Sequence, residues 1–593
     1  MTAISRKILS AALCVPLSLS SITAAPPVMA QGGEEISPAA CLAVGVTLPR
    51  PPGRNFSPVP APPQMAPRVT PMFAPPPAPP PPPPRMAQTL DVEEVQSSVS
   101  RVELHGFEAP TPVTGRDTET YPGAVPNPVK RVLQEPVSTF SIDVDTASYA
   151  NVRRFLKDGA LPPRAAVRIE EMVNYFDYGY RKPATAERPF AVTTALVPSP
   201  WSAKRHILHV GLQGYDIPRA VQPPMNLVLL MDTSGSMQED DRLPLAKKAV
   251  NVLVQQMRPQ DHLAIVAYAG SAGAVLSPTP GDQKLKIRCA LETLHSGGST
   301  AGGAGLELAY AMGQQNFRKD AVNRIILMTD GDFNVGISSP DRLGDFVADK
   351  RKSGIYLSVY GFGRGNYQDT MMQSLAQKGN GIAAYIDTLD EARKLFRDDL
   401  SGSIFPIAND VKIQIEFNPS IVSEYRLIGY ETRLLNREDF NNDRVDAGEV
   451  GSHASVTALY ELTMAGEPQS VDPLRYVAGG RQPPSEHGLE LGYLKLRYKL
   501  PGQDRSQLMQ QPISASLSAR NPAAAPEATR WALAVAGFGE KLRGSPWIDA
   551  SFDWNKVAAL AQDARGADAF GLRAEFLRLV RSAGDASNNK RTP

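Results

Sequence analysis

The chain has 593 residues, with 62 Lys and Arg against 61 Asp and Glu, a formal net charge of +1 and a pI of about 7.7. This balance argues against a protein that binds nucleic acid by neutralising phosphates. The length allows up to about four domains of roughly 150 residues each. Proline accounts for 54 residues, well above the usual share of about 5%, so part of the chain is expected to be extended.

The first 30 residues have the composition of a secretory signal peptide. Two basic residues precede an apolar stretch at residues 8–22, which is too short to span a bilayer, and small residues ending at Ala30 resemble a cleavage site. No later segment reaches about 20 uncharged apolar residues, so we expect no transmembrane helix in the mature protein. These features predict an exported protein of the periplasm or cell envelope.

Residues 31–134 are predicted to be a disordered linker. Half of residues 49–84 are proline, ending in the unbroken run from Pro79 to Pro84. Such a segment favours extended polyproline II over helix or sheet. We interpret it as a semi-rigid spacer in the envelope; the alternatives are a ligand for a proline-binding module and a linker with no specific function.

The chain contains three cysteines, too few for a disulfide-stapled scaffold or a four-cysteine zinc site. Cys14 lies in the predicted signal peptide. Cys41 lacks the leucine three residues upstream that a lipoprotein processing site requires, so we expect a free cysteine in a flexible tail and no lipid anchor. Cys289 has no evident partner and is expected to be a buried, unpaired thiol.

Four apolar stretches of strand length alternate with stretches of helical periodicity. The strands are predicted at residues 225–231, 262–268, 324–329 and 356–362, and the helices at 243–257, 303–315 and 341–352. This alternation indicates βαβ units and an α/β fold with a doubly wound parallel sheet. In such sheets ligands bind at the carboxyl ends of the strands.

Oxygen-bearing side chains follow these strands. The first strand leads into Asp232-Thr-Ser234-Gly-Ser236, the third leads to Asp330, and Thr300 lies in a glycine-rich loop between them. Carboxylates and hydroxyls are the ligands that hard cations such as Mg²⁺ prefer. Two carboxylates only balance one divalent ion, so such a site retains affinity for one more anionic oxygen.

In this order and strand context, these residues closely resemble the metal-ion-dependent adhesion site of von Willebrand factor type A (VWA) domains. Helix capping explains any one of the three loops, but not all three together. The resemblance implies that five residues bind Mg²⁺ or Mn²⁺, directly or through water, with a partner's carboxylate at the open position: Asp232, Ser234, Ser236, Thr300 and Asp330. Ser299, beside Thr300, leaves the hydroxyl ligand of that loop open. We expect Asp332 to support the site and residues 239–241 to lead into a helix.

The flanking segments resemble those of exported bacterial VWA proteins, which carry an N-terminal associated segment and a C-terminal domain of unknown function. Strand-like stretches at residues 411–417, 425–429, 455–463 and 492–498 predict a β-rich domain that pairs with residues 190–198 and 206–211, so that the α/β domain is inserted into it. Apolar periodicity predicts terminal helices at 528–542, 554–564 and 569–581. The predicted organisation is signal peptide 1–30, linker 31–134, N-terminal segment 135–222, VWA domain 223–402, β-rich domain 403–518 and helical segment 519–593.

Two acidic motifs outside this site are interpreted as structural. Asp143 and Asp145 form an Asp-x-Asp pair that a capped helix start explains better than a second metal site. The run from Asp439 to Asp443 resembles the opening of a calcium loop, but it has Arg444 where the loop needs glycine and Val450 where it needs glutamate. We expect a polar turn there.

The motifs favour binding over catalysis. The sequence contains no HExxH pair, no phosphate-binding loop and no GxSxG elbow, and the metal motif positions no general base. His206 and His209 are expected to be structural. The function that fits best is a metal-dependent protein-binding module of the envelope that captures an acidic group on an unidentified protein partner. The alternatives are a passive scaffold without metal function and a metal-dependent hydrolase.

Overall fold

The computed structural model describes residues 36–49, 118–121, 123, 125–142, 145–298, 302–331, 340–445, 447–472 and 487–589. The predicted signal peptide, much of the predicted linker, Asp143, Ser299, Thr300 and Asp332 lie outside the described residues. The strands are β1 (Lys130–Arg131), β2 (Val137–Ser141), β3 (Phe190–Pro198), β4 (His206–Gly214), β5 (Met225–Asp232), β6 (His262–Tyr268), β7 (Ala272–Pro280), β8 (Val322–Thr329), β9 (Ile355–Gly361), β10 (Ala383–Tyr385), β11 (Pro406–Phe417), β12 (Val422–Ile428), β13 (Val450–Gly451), β14 (Ser455–Met464), β15 (Glu490–Lys499) and β16 (Ser506–Ser514). The helices are α1 (Pro38–Ala43), α2 (Ala147–Lys157), α3 (Ile169–Val173), α4 (Leu243–Gln256), α5 (Lys284–Glu292), α6 (Gly302–Gln315), α7 (Pro340–Arg351), α8 (Asp369–Lys378), α9 (Leu389–Arg393), α10 (Leu400–Ile404), α11 (Glu527–Arg543), α12 (Trp554–Asp563) and α13 (Leu572–Asn589).

The α/β domain contains a six-stranded sheet in the order β10-β9-β8-β5-β6-β7. All neighbours are parallel except β6 and β7, which are antiparallel. Alternate residues of the central strand β5 face opposite sides: Leu227 and Leu229 pack on the α4 side, whereas Val228 and Leu230 pack on the α6 side. The predicted doubly wound sheet, buried on both faces, is therefore confirmed.

Strands that precede and follow the α/β domain in the chain form a β-sandwich. One sheet has the order β1-β12-β14-β4-β3, and the other contains β13, β11, β15 and β16, with β2 also paired to β11. The two sheets share an apolar core. Strand β4, which precedes the α/β domain, pairs along its length with β14, which follows it. The chain thus leaves and re-enters one β module, as the sequence predicted.

The terminal helices cover the outer face of the first sandwich sheet. Helix α11 packs against α3 and α13 against α2, while α12 packs on α11 and α13; their shared core contains buried aromatic side chains, including Tyr175, Phe176, Trp531 and Phe576. Buried Leu459 of β14 belongs to the same core. The three predicted terminal helices are present; the boundaries of the first two agree within one residue, whereas the third begins three residues later and ends eight residues later than predicted.

The predicted disorder of residues 31–134 is wrong for the parts of this segment that are described. Cys41 of α1 forms a disulfide with Cys289 of α5, so the predictions of a free tail cysteine and an unpaired buried thiol are also wrong. Glu119 pairs with Arg154 at 2.7 Å, and β1 adds to the sandwich by pairing with β12. Because these contacts are polar or covalent, the segments that make them show no apolar periodicity in the sequence from which they could have been predicted.

In the part of the chain that the structure describes, no helix combines the length and apolar character needed to cross a membrane.

Candidate metal-binding site

The carboxyl end of the central sheet brings together two of the predicted loops. Strand β5 ends at Asp232, and Asp330 directly follows its neighbour β8. Both carboxylates are almost fully buried, with exposed fractions of 0% and 1%. Parallel strands place their ends at one edge, and this juxtaposes acidic residues that lie 98 positions apart in the sequence.

Three groups among the described residues donate hydrogen bonds to the Asp232 carboxylate and hold it in place. Its Oδ1 accepts a hydrogen bond from the backbone N–H of Ser234 at 2.9 Å. Its Oδ2 accepts from the Tyr268 hydroxyl at 3.0 Å and from the Thr329 hydroxyl at 2.9 Å. The carboxylate is therefore fixed before any ligand arrives.

The serine hydroxyls of the first loop lie next to each other. Ser234 Oγ and Ser236 Oγ are 2.9 Å apart. The described residues before Thr300 are tied to this loop, because the Gly235 N–H donates to the Gly298 carbonyl at 3.0 Å. Thr300 itself lies outside the described residues, so its predicted role is not tested.

Asp330 forms an ion pair with Arg242, a residue that was not predicted to belong to the site. Arg242, immediately before α4, donates from Nη1 to Asp330 Oδ2 at 2.9 Å and also to the Ser236 carbonyl oxygen. Its Nη2 donates to the Arg364 carbonyl at 2.7 Å. In the sequence, Arg242 follows an acidic run and looks like an ordinary helix start. Residues 239–241 do lead into helix α4, as predicted.

Burial sets the electrostatics of the site. It raises the pKa of the Asp232 carboxyl, an effect that hydrogen bonds from Ser234 oppose and the charge of Asp330 reinforces. Burial, together with the charge of Asp232, also raises the pKa of the Tyr268 phenol. Tyr268 therefore stays protonated and remains a donor to Asp232. Tyr268 and Thr329 were missed as site residues, although each ends a predicted strand at the edge where ligands bind.

The donor set fits a hard divalent cation. Asp232 and Asp330 supply carboxylate oxygens, and Ser234 and Ser236 supply hydroxyls, the oxygen chemistry that Mg²⁺ prefers. Because both oxygens of Asp232 already accept hydrogen bonds, binding through water suits this carboxylate. Among the described residues, no group of three or more His, Cys, Asp or Glu side chains is arranged to hold a metal ion, so the hydroxyls are essential to this interpretation.

The other acidic candidates are structural where they are described. Asp145 accepts from the Ala383 N–H at 2.7 Å and pairs with Arg433 at 2.5 Å, which supports a structural role. The expected cap on helix α2 is not made, because the Thr146 side chain forms no capping hydrogen bond.

The segment from Asp439 to Asp443, which resembles the opening of a calcium loop, binds the side chain of Lys412. The Lys412 ammonium donates to the carbonyls of Asp439 and Asn442 at 3.0 and 2.6 Å, and Asp443 accepts from Arg497 at 2.9 Å. A cationic side chain already uses the loop carbonyls, which supports the predicted polar turn.

His209 is a buried part of the core. Its ring nitrogens contact the Tyr180 hydroxyl at 2.6 Å and the Thr529 hydroxyl at 2.8 Å. Burial lowers its pKa to about 4, so the ring is neutral at physiological pH. These contacts support its predicted structural role.

Three family models match different parts of the chain. A family model for the von Willebrand factor type A domain matches residues 227–332, and one described as von Willebrand factor matches residues 115–209. A third, described as "Uncharacterized protein YfbK, C-terminal", matches residues 402–585.

Similar proteins are found among curated sequences and solved structures. The Escherichia coli (strain K12) protein "Uncharacterized protein YfbK" is 44% identical over 514 residues, which cover 84% of this chain and 88% of that protein. "Uncharacterized protein sll0103" of Synechocystis is 30% identical over 175 residues, 29% of this chain and 40% of that protein. The structure of a von Willebrand factor type A protein from Catenulispora acidiphila is 15% identical, covers 70% of this chain and 89% of its own, and has a TM-score of 0.37.

Proposed function

This chain belongs to the YfbK family and carries a VWA domain, a type of domain commonly involved in protein–protein interactions, and from this premise we propose that it is a metal-dependent protein-binding module of the cell envelope. The observation that carries the proposal is the oxygen cluster at the carboxyl edge of the central sheet. Asp232, Ser234, Ser236 and Asp330 would hold Mg²⁺ or Mn²⁺, and Thr300 joins them by its place in the motif.

The charge of the site favours an acidic partner. When bound, the metal supplies an open coordination position that accepts one further anionic oxygen. The buried carboxylates of Asp232 and Asp330 carry two negative charges, and Arg242 contributes one positive charge beside them. With a divalent ion in place the net charge becomes positive, which attracts a carboxylate of the partner protein.

Binding fits this site better than hydrolysis. Among the described residues, the side chains of Tyr268, Thr329 and Arg242 each donate a hydrogen bond to one of the two carboxylates. Hydrolysis needs a nearby proton acceptor for the attacking water, whereas these groups fix the carboxylates and hold their geometry. We therefore propose that the protein is not an enzyme.

An envelope location is supported by the covalent chemistry. The Cys41–Cys289 disulfide is of a kind that persists in oxidising compartments and is rare in the bacterial cytosol. Residues 1–30 have the pattern of a signal peptide, which is consistent with export.

Calorimetric titration of Mg²⁺ and Mn²⁺ into the purified chain tests this proposal. We predict saturable binding by the wild type and at least about tenfold weaker binding by Asp232→Asn, because a charge close to a divalent ion dominates its affinity. Asp240→Asn, on an exposed residue of the same segment, is the matched control and keeps wild-type affinity. Absence of binding in the wild type, or equal binding by Asp232→Asn, contradicts the proposal.

A further inference from the structure

The guanidinium of Arg242 is part of the candidate metal site. It contacts three segments: the Ser236 carbonyl, the Asp330 carboxylate and the Arg364 carbonyl. The Arg242 side chain is 14% exposed and that of Asp330 is 1% exposed. The ion pair is therefore mostly shielded from water, where charges interact more strongly than at the surface.

The backbone at Gly363 leaves a space for the Arg242 side chain, called here its seat. Gly363 has a φ of +76°, and a Cβ at this position would lie 2.4 Å from Nε and 2.5 Å from Cγ of Arg242. A residue with a side chain would collide with the arginine and would be strained in this conformation. The loop after β9 thus admits the Arg242 side chain only because it has a glycine at this point.

The seat satisfies the guanidinium incompletely. Nε of Arg242 is buried and has no hydrogen-bond partner in the described part of the chain. A buried donor without an acceptor costs free energy, and the charge attraction to Asp330 offsets this cost together with the hydrogen bonds to the two carbonyls. A stronger cation at Asp330 removes the charge attraction that holds Arg242 there.

We propose that Arg242 is a resident cation of the site, which neutralises Asp330 in the metal-free protein and competes with divalent metal for that carboxylate. This inference rests on the proposed function, because it requires that the site bind metal. The competition also affects partner binding. In the free protein, Arg242 lowers the affinity of the site for the metal, and a partner's carboxylate restores this affinity by compensating the extra positive charge of Arg242.

Metal affinity measured in charge variants tests the competition. Titration of Mg²⁺ is compared in the wild type, Arg242→Gln and Arg242→Lys. We expect Arg242→Gln to bind at least about tenfold more tightly, since a positive charge next to a divalent ion is removed. Arg242→Lys keeps the charge and stays within about threefold of the wild type.

The matched control is Arg364→Gln. The Arg364 side chain lies nearby and is 55% exposed, and it pairs with Asp158 rather than with Asp330. Its loss removes the same charge at an exposed, screened position, so affinity changes by less than about twofold. Equal tightening in both glutamine variants would mean that general charge, and not the seat of Arg242, sets the affinity, and would overturn the inference.

A second variant and a second readout guard against misfolding. Gly363→Ala displaces Arg242 without changing any charge and is expected to bind Mg²⁺ more tightly than the wild type. The rise in Tm between EDTA and Mg²⁺ is expected to be larger in Arg242→Gln than in the wild type. A wild type that binds metal with an affinity that Arg242→Gln does not exceed overturns this inference alone. Metal binding by neither protein overturns both proposals.

Discussion

Glu170 of α3 and Glu431, in the loop after β12, bury two carboxyl groups at the junction of three segments. Oε2 of each has no hydrogen-bond partner among the described residues, and Oε1 of Glu431 accepts from Arg543 of α11 at 2.6 Å. Burial first, and then the negative charge of Glu431, raises the pKa of Glu170 to about 7. Glu171 adds to this shift and Arg168 opposes it.

This pKa predicts a pH-dependent stability. An unfolded glutamate titrates near about pH 4.3, so the folded protein binds more protons between there and about pH 7, and stability falls as pH rises through that window. Glu170→Gln lacks the titrating group. We expect it to match the wild-type Tm at pH 5 and exceed it at pH 8.

Thermal melts from pH 5 to pH 8 measure this difference. Glu438→Gln, on an exposed turn, serves as the control and should follow the wild type at every pH. A Tm difference between Glu170→Gln and the wild type that does not change with pH would contradict the account.

Single residues also mark the limits of what the sequence predicts about the site. Asp232, Ser234, Ser236 and Asp330 were predictable because strand ends and a short motif identify them, and the structure brings them together. Arg242 was not, because its role depends on a glycine 121 positions later that leaves room for its side chain.

At the scale of elements, the short helix α1 is fastened to α5. Ser37 caps α1 by accepting from the Ala40 N–H, and Cys41 joins Cys289 across a sequence separation of 248 residues. Both cysteines are fully buried. A cross-link between distant positions limits the conformations of the unfolded chain and thereby stabilises the folded one.

The disulfide predicts non-additive cysteine variants. Cys41→Ala and Cys289→Ala each remove the same bond, so we expect each to lower the free energy of unfolding by about 2–4 kcal/mol. The double variant should lose little more than either single variant. Denaturant unfolding of the three proteins provides the comparison, with the wild type in reductant as a further check. A double variant whose loss equals the sum of the single losses would show that the bond is absent.

Elements with strong periodicity were predictable and those without it were not. Strand β5 is a continuous apolar run, and its order and burial agree with the prediction. Strands β7 and β16 were missed because both are edge strands with many exposed residues, so neither shows the apolar run of a buried strand. Pairing to a neighbour, rather than burial of an apolar face, forms them.

At the scale of the whole molecule, buried ion pairs fasten the α/β domain to the segments around it. Arg168, beside α3, donates to Asp369 of α8 at 2.5 Å and to Glu171. Arg153 of α2 reaches both Asp387 and Glu391 of the α/β domain. These charged groups are almost fully buried, so removing one partner leaves the others uncompensated.

We expect Arg168→Ala to lower the free energy of unfolding by about 3–5 kcal/mol, because it leaves the buried carboxylates of Glu171 and Asp369 without this cation. Lys182→Ala breaks an exposed pair with Asp216 instead, and should cost no more than about 1 kcal/mol. Denaturant unfolding of the wild type and of the two variants measures these losses. Losses of similar size in the two variants would contradict this role for Arg168.

The domain plan followed from pattern, whereas the contacts between its parts did not. Stretches of strand-like composition before and after the α/β domain led to the prediction of one shared β module, and β4 does pair with β14. Buried pairs such as Arg168 with Asp369 join positions 201 apart, and in sequence each residue looks like an ordinary surface charge.

Anomalous diffraction from crystals grown with Mn²⁺ locates the metal itself. We predict a single strong Mn²⁺ peak at the carboxyl edge of the central sheet, coordinated by the hydroxyls of Ser234 and Ser236 and enclosed by Asp232 and Asp330. We also predict that Arg242 has moved away from Asp330. Crystals that diffract with no anomalous peak at this edge, or with Mn²⁺ bound only elsewhere, would contradict a metal-dependent binding site.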